Sequence, residues 1–469
     1  MSTLSLFDAA LEQPDAPALL HGDQVLSFGE LAAQAEPLAA ALQRRRPPVL
    51  QLTPRADVPS LLWLYAAFAT ATPVLTLHAR ATAAEAAQLS GRLGAIPPDA
   101  SWLEPGRAAP SPPGGRRAAA LEPDPALPLV FIPTSGSTGE PRLVELSRRA
   151  VTASAQASAA NLGWEPDDRW LLCLPLAHTG GLSIVARCLL ARRPVVLFDA
   201  GTGGALARTR ELLPLAEQAS LISLVPSLLD ALLDAGFRGH GRLRALLLGG
   251  SGCSPALARR ARAAALPLLT SYGLTETASQ VVTRRYAERF EPLAEHAGCV
   301  SSGHPLPGVE LRLQGGLIAL RAPSLFTRYA GAAPPAELDD GWLLTSDRGQ
   351  LSSSGELFVL GRADDLIVTA GENVDPVEVE AALRELPGVR EACVFGTISE
   401  RFGHVVTAAL VTDDAALAEP EALGRLLADR LARHKWPRRV LRVETLPLTA
   451  SGKLDRRRCA ESWASSFQA

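Results

Sequence analysis

Short apolar runs alternate with longer stretches in which apolar residues recur at helical spacing, from the N-terminus to about residue 300. The short runs predict buried strands, and the longer stretches predict amphipathic helices. Strands and helices that alternate in this way predict parallel sheets covered by helices on both faces. The strands are predicted at residues 18–20, 24–27, 49–52, 74–77, 127–132, 170–174, 194–197, 221–225 and 245–248, and the helices at 28–43, 59–71, 82–94, 147–161, 181–190 and 227–235.

The pattern changes after about Gly303, where short strands are separated by Gly-rich turns. Such strands predict an antiparallel, β-rich segment, and the last part of the chain mixes helices and strands again. We therefore predict an α/β protein with a large N-terminal domain (1–361) of parallel α/β layers plus a β-rich subdomain, and a small α+β C-terminal domain (362–469) hinged to it. The later strands are predicted at 309–313, 316–321, 351–353, 357–360, 392–397 and 405–411, and the later helices at 376–386 and 421–433.

Composition narrows the class of protein. The chain has 469 residues, of which 47% are hydrophobic and 20% charged, as expected for a globular protein with more than one domain. A net charge of -3 provides no basic field for nucleic acid or an anionic membrane. The six cysteines form no C-x-x-C pair, which argues against a zinc site and favours a reducing cytoplasm. No signal peptide is predicted, and the uncharged stretch 58–77 contains two prolines, so we expect a buried helix and strand there.

A polar loop follows the strand at 127–132, with the sequence Pro-Thr-Ser-Gly-Ser-Thr-Gly-Glu-Pro-Arg from 133 to 142. Glycines let the backbone approach a ligand closely, and hydroxyl and N–H groups can converge on phosphate oxygens. The helix at 147–161 should add the positive end of its dipole. We predict a polyphosphate loop, although it lacks the common G-x-x-x-x-G-K-[ST] pattern and a flexible turn is the alternative. The candidate phosphate contacts are Thr134, Ser135, Gly136, Ser137, Thr138, Gly139 and Arg142.

Residues 271–277, Ser-Tyr-Gly-Leu-Thr-Glu-Thr, follow an apolar run at 266–269. A strand end that presents Tyr272, Thr275 and Glu276 together suits a base, a phosphate and Mg²⁺. The alternative is that a helix follows the strand directly and that Thr275 caps it.

Three further clusters give weaker evidence of function when each is taken alone. Asp347, in Thr-Ser-Asp, suits ribose hydroxyls if it ends a strand, although aspartates are also common in surface turns. Residues 361–373 are polar and contain glycines, and they lie where a hinge between the two domains is expected. Lys453 lies in the loop Pro-Leu-Thr-Ala-Ser-Gly-Lys-Leu-Asp, and a single lysine in such a loop is usually a solvated surface residue.

In this order and at these separations, the five clusters resemble the adenylate-forming superfamily of acyl- and aryl-CoA ligases, luciferases and peptide-synthetase adenylation domains. The resemblance covers nearly the whole chain, from about Leu26 to Lys453. It implies an enzyme that adenylates a carboxylate with ATP and Mg²⁺, releases pyrophosphate, and transfers the acyl group to the thiol of coenzyme A. It also implies that the active site lies between the two domains.

The resemblance assigns a role to each cluster. Residues 134–139 would cradle the phosphates, and Gly250 and Ser251 would lie at the nucleotide site. Tyr272 would pack on adenine, Thr275 would touch phosphate and Glu276 would hold Mg²⁺. Asp347 would bind the ribose hydroxyls, and Arg362 would contact ribose or phosphate.

For the second half-reaction, the resemblance implies that the small domain rotates about Asp364. Lys453 would bridge carboxylate and α-phosphate in the first step and then leave, and Gly371 would let the pantetheine arm pass close to the backbone. Three positions depart from the family pattern: Arg142 replaces the usual Lys, Ser346 replaces the Gly of Thr-Gly-Asp, and Val368 stands where a Lys often follows the hinge. None of them removes an essential group.

The segment 174–183 carries His178 and no acidic residue, as in CoA ligases, where this position lines the acyl pocket; a helix-start histidine is the alternative. Residues 247–252 and 272–283 resemble the o-succinylbenzoate–CoA ligases of menaquinone biosynthesis. Such an acid has a second carboxylate, which must meet a cation or several donors when buried. We expect Ser183, Ser251 and backbone glycines to supply them.

Three alternatives stay open: another small aryl- or acyl-CoA ligase, an adenylating enzyme that loads a carrier protein, and a non-catalytic ATP-binding protein. The expected partners are a small carboxylic acid, ATP and CoA, without nucleic acid or membrane. Self-association as a homodimer is left open.

Overall fold

The computed structural model describes residues 3–103, 123–134, 142–199, 208–331, 338–369, 372–399, 403–449 and 454–463. The helices in this part of the chain are α1 Leu6–Glu12, α2 Phe28–Arg45, α3 Val58–Ala69, α4 Ala83–Leu93, α5 Arg148–Leu162, α6 Thr179–Ala191, α7 Thr209–Gln218, α8 Pro226–Asp234, α9 Pro255–Ala263, α10 Pro376–Arg384, α11 Pro420–Leu427 and α12 Arg456–Trp463. The strands of the N-terminal part are β1 Pro17–His21, β2 Gln24–Ser27, β3 Val49–Leu52, β4 Val74–Thr76, β5 Ala95–Ile96, β6 Pro128–Thr134, β7 Arg142–Ser147, β8 Trp170–Leu172, β9 Val195–Leu197, β10 Leu221–Leu224, β11 Ala245–Leu248, β12 Leu268–Leu274 and β13 Ser279–Thr283. The later strands are β14 Glu295–His296, β15 Cys299–Val300, β16 His304–Pro305, β17 Glu310–Gln314, β18 Leu317–Arg321, β19 Arg328–Tyr329, β20 Leu338–Asp339, β21 Trp342–Leu351, β22 Leu357–Arg362, β23 Ile367–Thr369, β24 Glu372–Val374, β25 Val389–Ser399, β26 Gly403–Thr412 and β27 Arg439–Val443.

The predicted start of α2 is confirmed by its capping box. The amide of Glu30 donates to Ser27 Oγ at 3.2 Å, and the amide of Ser27 donates to Glu30 Oε2 at 2.8 Å. Thr82 and Glu85 form the same pair at the start of α4. These local bonds satisfy amides that a helix start leaves without intrahelical partners, which is why the sequence marks both starts clearly.

The larger sheet has the strand order β16-β13-β12-β11-β10-β8-β9-β1-β2, and its central strands are parallel. Successive side chains of a strand point to opposite faces. In β11, Leu247 packs into one hydrophobic core, whereas Leu246 and Leu248 pack into another. The prediction of parallel strands buried on both faces is therefore confirmed.

The second sheet has the order β19-β7-β6-β4-β3-β5, and it holds the predicted phosphate loop between β6 and β7. These two strands are antiparallel: Thr134 pairs with Arg142 at the loop, and Pro128 pairs with Ser147 at the opposite end. Ser147 caps α5, so the helix begins about 17 Å of strand away from the loop. The prediction that its dipole supports the phosphate loop is wrong, because the buried residues 143–147 form a strand instead of a linker.

The β-rich segment is antiparallel, as predicted, with the order β17-β18-β21-β20 and with β22 paired to β21. One detail of the prediction is wrong: Asp347 lies in the middle of β21 and does not end a strand. The polar run from Thr345 to Arg348 hid this strand from a hydrophobic pattern. In the structure alternate residues of this run are buried, including Thr345 and Asp347.

The C-terminal part forms a separate sheet, β24-β23-β26-β25, with β27 parallel to β26. Helices α10 and α11 contribute apolar side chains to its core. The structure thus has the predicted large α/β part and small α+β part. The boundary at residues 361 and 362 stays a prediction.

All six cysteines lie in the described ranges, where they are buried free thiols. The uncharged stretch 58–77 forms α3 and β4, as predicted. No helix in the described ranges is long and apolar enough to cross a bilayer.

Arg456, the first residue of α12, connects three parts of the small domain. Its guanidinium donates to Asp365 Oδ2 at 2.6 Å, to Glu380 Oε1 at 2.8 Å and to the carbonyl of Val394 at 2.9 Å. Glu380 is buried, so removal of this cation leaves a desolvated carboxylate with less compensation. The contacts therefore tie α12 to α10, to β25 and to the segment after Asp364.

We expect Arg456→Met to lower the free energy of unfolding by about 3 kcal/mol, as is typical when one partner of a buried ion pair is removed. Arg457→Met is the matched control, because Arg457 is exposed and, among the described residues, forms an ion pair only with Glu461 of the same helix. It should change stability by less than about 0.5 kcal/mol. Urea denaturation of both variants measures the difference, and equal values would contradict the structural role of Arg456.

Candidate active site

Three predicted nucleotide residues meet where β12 faces the β21–β22 pair. Tyr272 Oη donates to Asp347 Oδ2 at 2.7 Å, and Asp347 lies directly opposite Arg362 in the strand register. Arg362 Nη2 also donates to Ser346 Oγ at 3.2 Å. Burial, and then the charge of Asp347, hold the pKa of Tyr272 well above its usual range, so the phenol stays protonated and donates. The sequence placed these three residues in one site, and the structure brings them together.

The described ends of β6 and β7, Thr134 and Arg142, connect through Tyr329 to the predicted metal carboxylate. Thr134 Oγ1 donates to the carbonyl of Arg142 at 3.5 Å across the base of the loop. The guanidinium of Arg142 lies over the ring of Tyr329 at 5.0 Å, and Tyr329 Oη donates to Glu276 Oε1 at 2.9 Å. The other predicted loop residues, Ser135, Gly136, Ser137, Thr138 and Gly139, lie outside the described residues.

Glu276 suits a magnesium ion that arrives with a nucleotide. Mg²⁺ in such sites takes one or two carboxylates and completes its shell with phosphate oxygens and water. Glu276 is half-buried, and Tyr329 is the one side-chain donor to its carboxylate among the residues that the structure describes. Within the same ranges no group of three or more His, Cys, Asp or Glu could hold a metal. The donor set therefore fits a metal bound together with phosphates.

Thr275 opens a 3₁₀ turn, Thr275–Thr277, and the chain then returns as the antiparallel strand β13. The alternative of an α-helix directly after the strand is therefore wrong. Gly273 allows this hairpin to form, because a Cβ there would lie 2.1 Å from the carbonyl oxygen of Ser279.

Gly250 and Ser251, both exposed, follow the neighbouring parallel strand β11. Ligands of parallel sheets bind at this carboxyl edge.

His178 is the N-cap residue of α6, and its ring lies 5.4 Å from the ring of His78. Gly181, in the first turn, must be small, since a Cβ would lie 2.5 Å from the carbonyl oxygen of Pro175. The expected donor role of Ser183 is not supported. Its hydroxyl donates to the carbonyl of Gly180 at 3.0 Å within the helix.

Arg187, on the same helix, is a buried cation that the sequence reasoning missed. It is 3% exposed, and its nearest acceptors are neutral: Ser279 Oγ at 3.3 Å and Gln280 Oε1 at 3.5 Å. The guanidinium also lies over the ring of Trp170 at 5.3 Å. No carboxylate pairs with it among the described residues, and its Nε has no hydrogen-bond partner there.

Burial lowers the pKa of Arg187 to about 10, so the side chain is still protonated at neutral pH. A desolvated charge without a counter-ion is costly, and proteins rarely retain one without a function. A guanidinium in such surroundings can pair with an anion. Its neutral acceptors come from the 279–280 stretch, which belongs to the segment used for the subgroup resemblance.

The predicted hinge residue, Asp364, lies in the 3₁₀ turn Ala363–Asp365 directly after β22. Its carboxylate accepts from Arg362 Nη2 at 3.2 Å. Lys453 and Gly371 lie outside the described residues. The described residues on either side of the Lys453 loop meet in an antiparallel bridge between Leu448 and Leu454.

Comparisons with known proteins agree with this arrangement. The AMP-binding enzyme family matches residues 78–317, and the AMP-binding enzyme C-terminal domain matches residues 378–453. A 2-succinylbenzoate–CoA ligase of Bacillus pumilus is 37% identical over 69% of this chain and 67% of its own length. Another, of Bacillus licheniformis, is 31% identical over 94% and 96%. The o-succinylbenzoate CoA synthetase of Bacillus subtilis, in complex with its acyl-adenylate intermediate, superposes with a TM-score of 0.83 at 27% identity and 98% coverage of both chains.

Proposed function

Because this chain belongs to the AMP-binding enzyme family, we propose that it joins 2-succinylbenzoate (o-succinylbenzoate) to coenzyme A in two steps. In the first, the succinyl carboxylate oxygen attacks the α-phosphorus of ATP, and the bond to pyrophosphate breaks. In the second, the CoA thiolate attacks the acyl carbon, and AMP leaves. The full-length relatives with this activity support the proposal.

The single observation that carries the choice of acid is the buried Arg187 without a carboxylate partner in the described residues. 2-Succinylbenzoate has a ring carboxylate that does not react. A guanidinium can meet a carboxylate with two parallel hydrogen bonds, and pairing removes most of the cost of burying both charges. We therefore assign Arg187 to the ring carboxylate.

The remaining residues act on the nucleotide and on the reacting groups. Asp347 and Arg362 are proposed to hold the ribose side, with Tyr272 against the base, and Thr275 to contact phosphate. Glu276 would hold Mg²⁺, which supplies positive charge at the phosphates. Lys453 would stabilise the charge that develops as carboxylate and α-phosphate meet.

The other proposed contacts complete the two half-reactions. His178 would line the acyl pocket beside the path of the thiol. Asp364 is proposed as the pivot of the small domain, and the segment at Gly371 as a wall of the thiol channel. We propose the cytoplasm as the compartment, since it supplies ATP and CoA, and leave dimer formation to a sedimentation measurement.

Mass spectrometry of products tests the function directly. With ATP, Mg²⁺ and CoA, 2-succinylbenzoate should yield a CoA thioester, AMP and pyrophosphate. The truncated acid 4-phenyl-4-oxobutanoate, which lacks only the ring carboxylate, should react at least about tenfold more slowly in kcat/KM. Equal turnover of the two acids would mean that the pocket does not recognise the second carboxylate, and a general acyl-CoA ligase would be the better assignment.

A further inference from the structure

We propose that Tyr329 is a positioning residue that holds the Glu276 carboxylate for Mg²⁺·ATP and connects it to Arg142 at the end of the phosphate loop. This inference rests on the metal role proposed for Glu276. It concerns a residue outside all five motif clusters of the sequence. Nothing in the hydrophobic pattern singled it out.

The contact between Tyr329 and Glu276 is direct and well enclosed. Tyr329 Oη donates to Glu276 Oε1 at 2.9 Å, and the tyrosine side chain is buried. The same ring lies under the guanidinium of Arg142 at 5.0 Å. One side chain therefore touches both the predicted metal carboxylate and the cation of the phosphate loop.

The backbone holds both partners in register. Tyr329 belongs to the short strand β19 and pairs with Val144 of β7, the strand that leads away from the phosphate loop. The amide of Phe326 donates to the carbonyl oxygen of Glu276 at 2.7 Å, and the rings of Phe326 and Tyr329 lie 4.8 Å apart. A side chain that is fixed by packing and by its backbone can orient a ligand carboxylate without a large loss of entropy.

The phenol is the donor of this contact, because a tyrosine hydroxyl carries a proton and an ionised carboxylate can only accept. A carboxylate whose one oxygen accepts from a fixed donor presents its other oxygen in a restricted set of directions.

Arg142 gives the pair its link to the phosphates. Arginine has a flat guanidinium that stacks on an aromatic ring, whereas the ammonium group of lysine is a compact point charge. The arginine at a position where the family usually has lysine therefore suits the ring of Tyr329. If bound phosphates moved Arg142, the ring of Tyr329 would move with it, and the hydrogen-bonded carboxylate of Glu276 would follow.

Tyr329→Phe removes the hydroxyl that donates to Glu276 and keeps the ring under Arg142 and against Phe326. Loss of an outer-shell partner typically costs about ten- to a hundredfold in metal affinity. We expect the dissociation constant of Mn²⁺, measured by electron paramagnetic resonance with ATP present, to rise about tenfold. The Mg²⁺ concentration that gives half-maximal ATP–pyrophosphate exchange should rise by a similar factor.

Tyr286→Phe is the matched control. Tyr286 is half-buried and also stacks with arginines, Arg244 at 5.3 Å and Arg289 at 4.1 Å, but no contact joins it to Glu276 in the described residues. It loses the same hydroxyl and should leave Mn²⁺ affinity unchanged. Arg142→Lys keeps the charge and loses the stacking on Tyr329. It should weaken binding of ATP more than binding of the metal, because it alters the end of the phosphate loop and leaves the hydrogen bond between Tyr329 and Glu276 in place.

The outcomes separate this inference from the proposed function. Unchanged Mn²⁺ affinity in folded Tyr329→Phe would overturn the positioning role, whatever acid the enzyme uses. Equal losses in Tyr329→Phe and Tyr286→Phe would also overturn it, by pointing to a general effect on stability. The Mn²⁺ measurement needs no carboxylic acid, so a wrong choice of substrate cannot affect its result.

Discussion

Arg187→Leu should lower kcat/KM for 2-succinylbenzoate by at least about a hundredfold. Loss of one partner of a buried charge pair costs about 3 to 5 kcal/mol, which corresponds to about two to three and a half orders of magnitude. Leucine leaves the ring carboxylate of the substrate without its cation at a position where the arginine is almost fully buried. Steady-state kinetics with pyrophosphate release measures the effect.

The truncated acid turns this measurement into a thermodynamic cycle. 4-Phenyl-4-oxobutanoate has no ring carboxylate, so Arg187→Leu should change its turnover little or improve it. The coupling between Arg187 and the ring carboxylate is the ratio of the two effects. Any general damage to the enzyme cancels in this ratio. Equal losses for the two acids would show that Arg187 does not bind the second carboxylate.

Arg192→Leu provides a control for the loss of a buried arginine. Arg192 lies at the end of the same helix, and its guanidinium pairs with Glu12 at 2.8 Å, so its charge is already compensated within the protein. This variant should lower stability and leave the preference between the two acids unchanged. Arg187→Lys should keep part of the preference, because it retains a charge but cannot form two parallel bonds.

The sequence contained a signal for Arg187 that motif reasoning did not use. Arg187 interrupts the apolar run from Ile184 to Leu190, inside the helix that is predicted at residues 181–190. Arginine is almost never fully buried without a partner. The donors predicted from the sequence were hydroxyls and backbone glycines, whereas the cation lies in the middle of a helix.

The fold could be predicted where local physics decides it. The capping box at Ser27 and Glu30 and the apolar strands of the parallel sheet depend on neighbours in the chain or on simple burial. The phosphate-loop hairpin could not be anticipated in the same way. The sequence of residues 143–147 is compatible both with a strand and with a linker to the helix. Pairing with β6 makes it a strand.

Tyr329 was not predicted as a site residue, because its contact with Glu276 joins residues that are far apart along the chain. Tyr329 lies 53 residues from Glu276 along the chain, and its strand is only two residues long. Such a short strand has no periodic pattern to recognise. Tyr272, Asp347 and Arg362 were recognised because each belongs to a motif, and the structure adds that they form one connected group.

Use of basic residues gives an independent reason to assign a special role to Lys453. Only two of the 46 lysine and arginine residues of this chain are lysines, Lys435 and Lys453. Even the phosphate loop ends in Arg142. A chain that uses arginine almost everywhere has kept lysine in the loop at 453, and the AMP-binding enzyme C-terminal domain match extends to this residue.

Lys453→Ala should lower adenylate formation by about a hundredfold to a thousandfold, the usual cost of removing a group that stabilises transition-state charge. ATP–pyrophosphate exchange in the presence of 2-succinylbenzoate measures this step. Conversion of chemically prepared acyl adenylate to the CoA thioester should stay largely intact, because Lys453 is proposed to act only in the first step. Lys453→Arg should not restore exchange, since the broad guanidinium cannot replace a compact ammonium between two anionic oxygens.

Lys435→Ala is the matched control for this experiment. Its ammonium is already engaged by both oxygens of Glu378, at 2.6 and 2.7 Å. Removal of this lysine should leave both half-reactions near their original rates. If Lys453→Ala lowered the two half-reactions equally while the protein stayed folded, the proposed rotation of the small domain between the two steps would be wrong. Lys453 would then have to lie at the reacting groups in both steps.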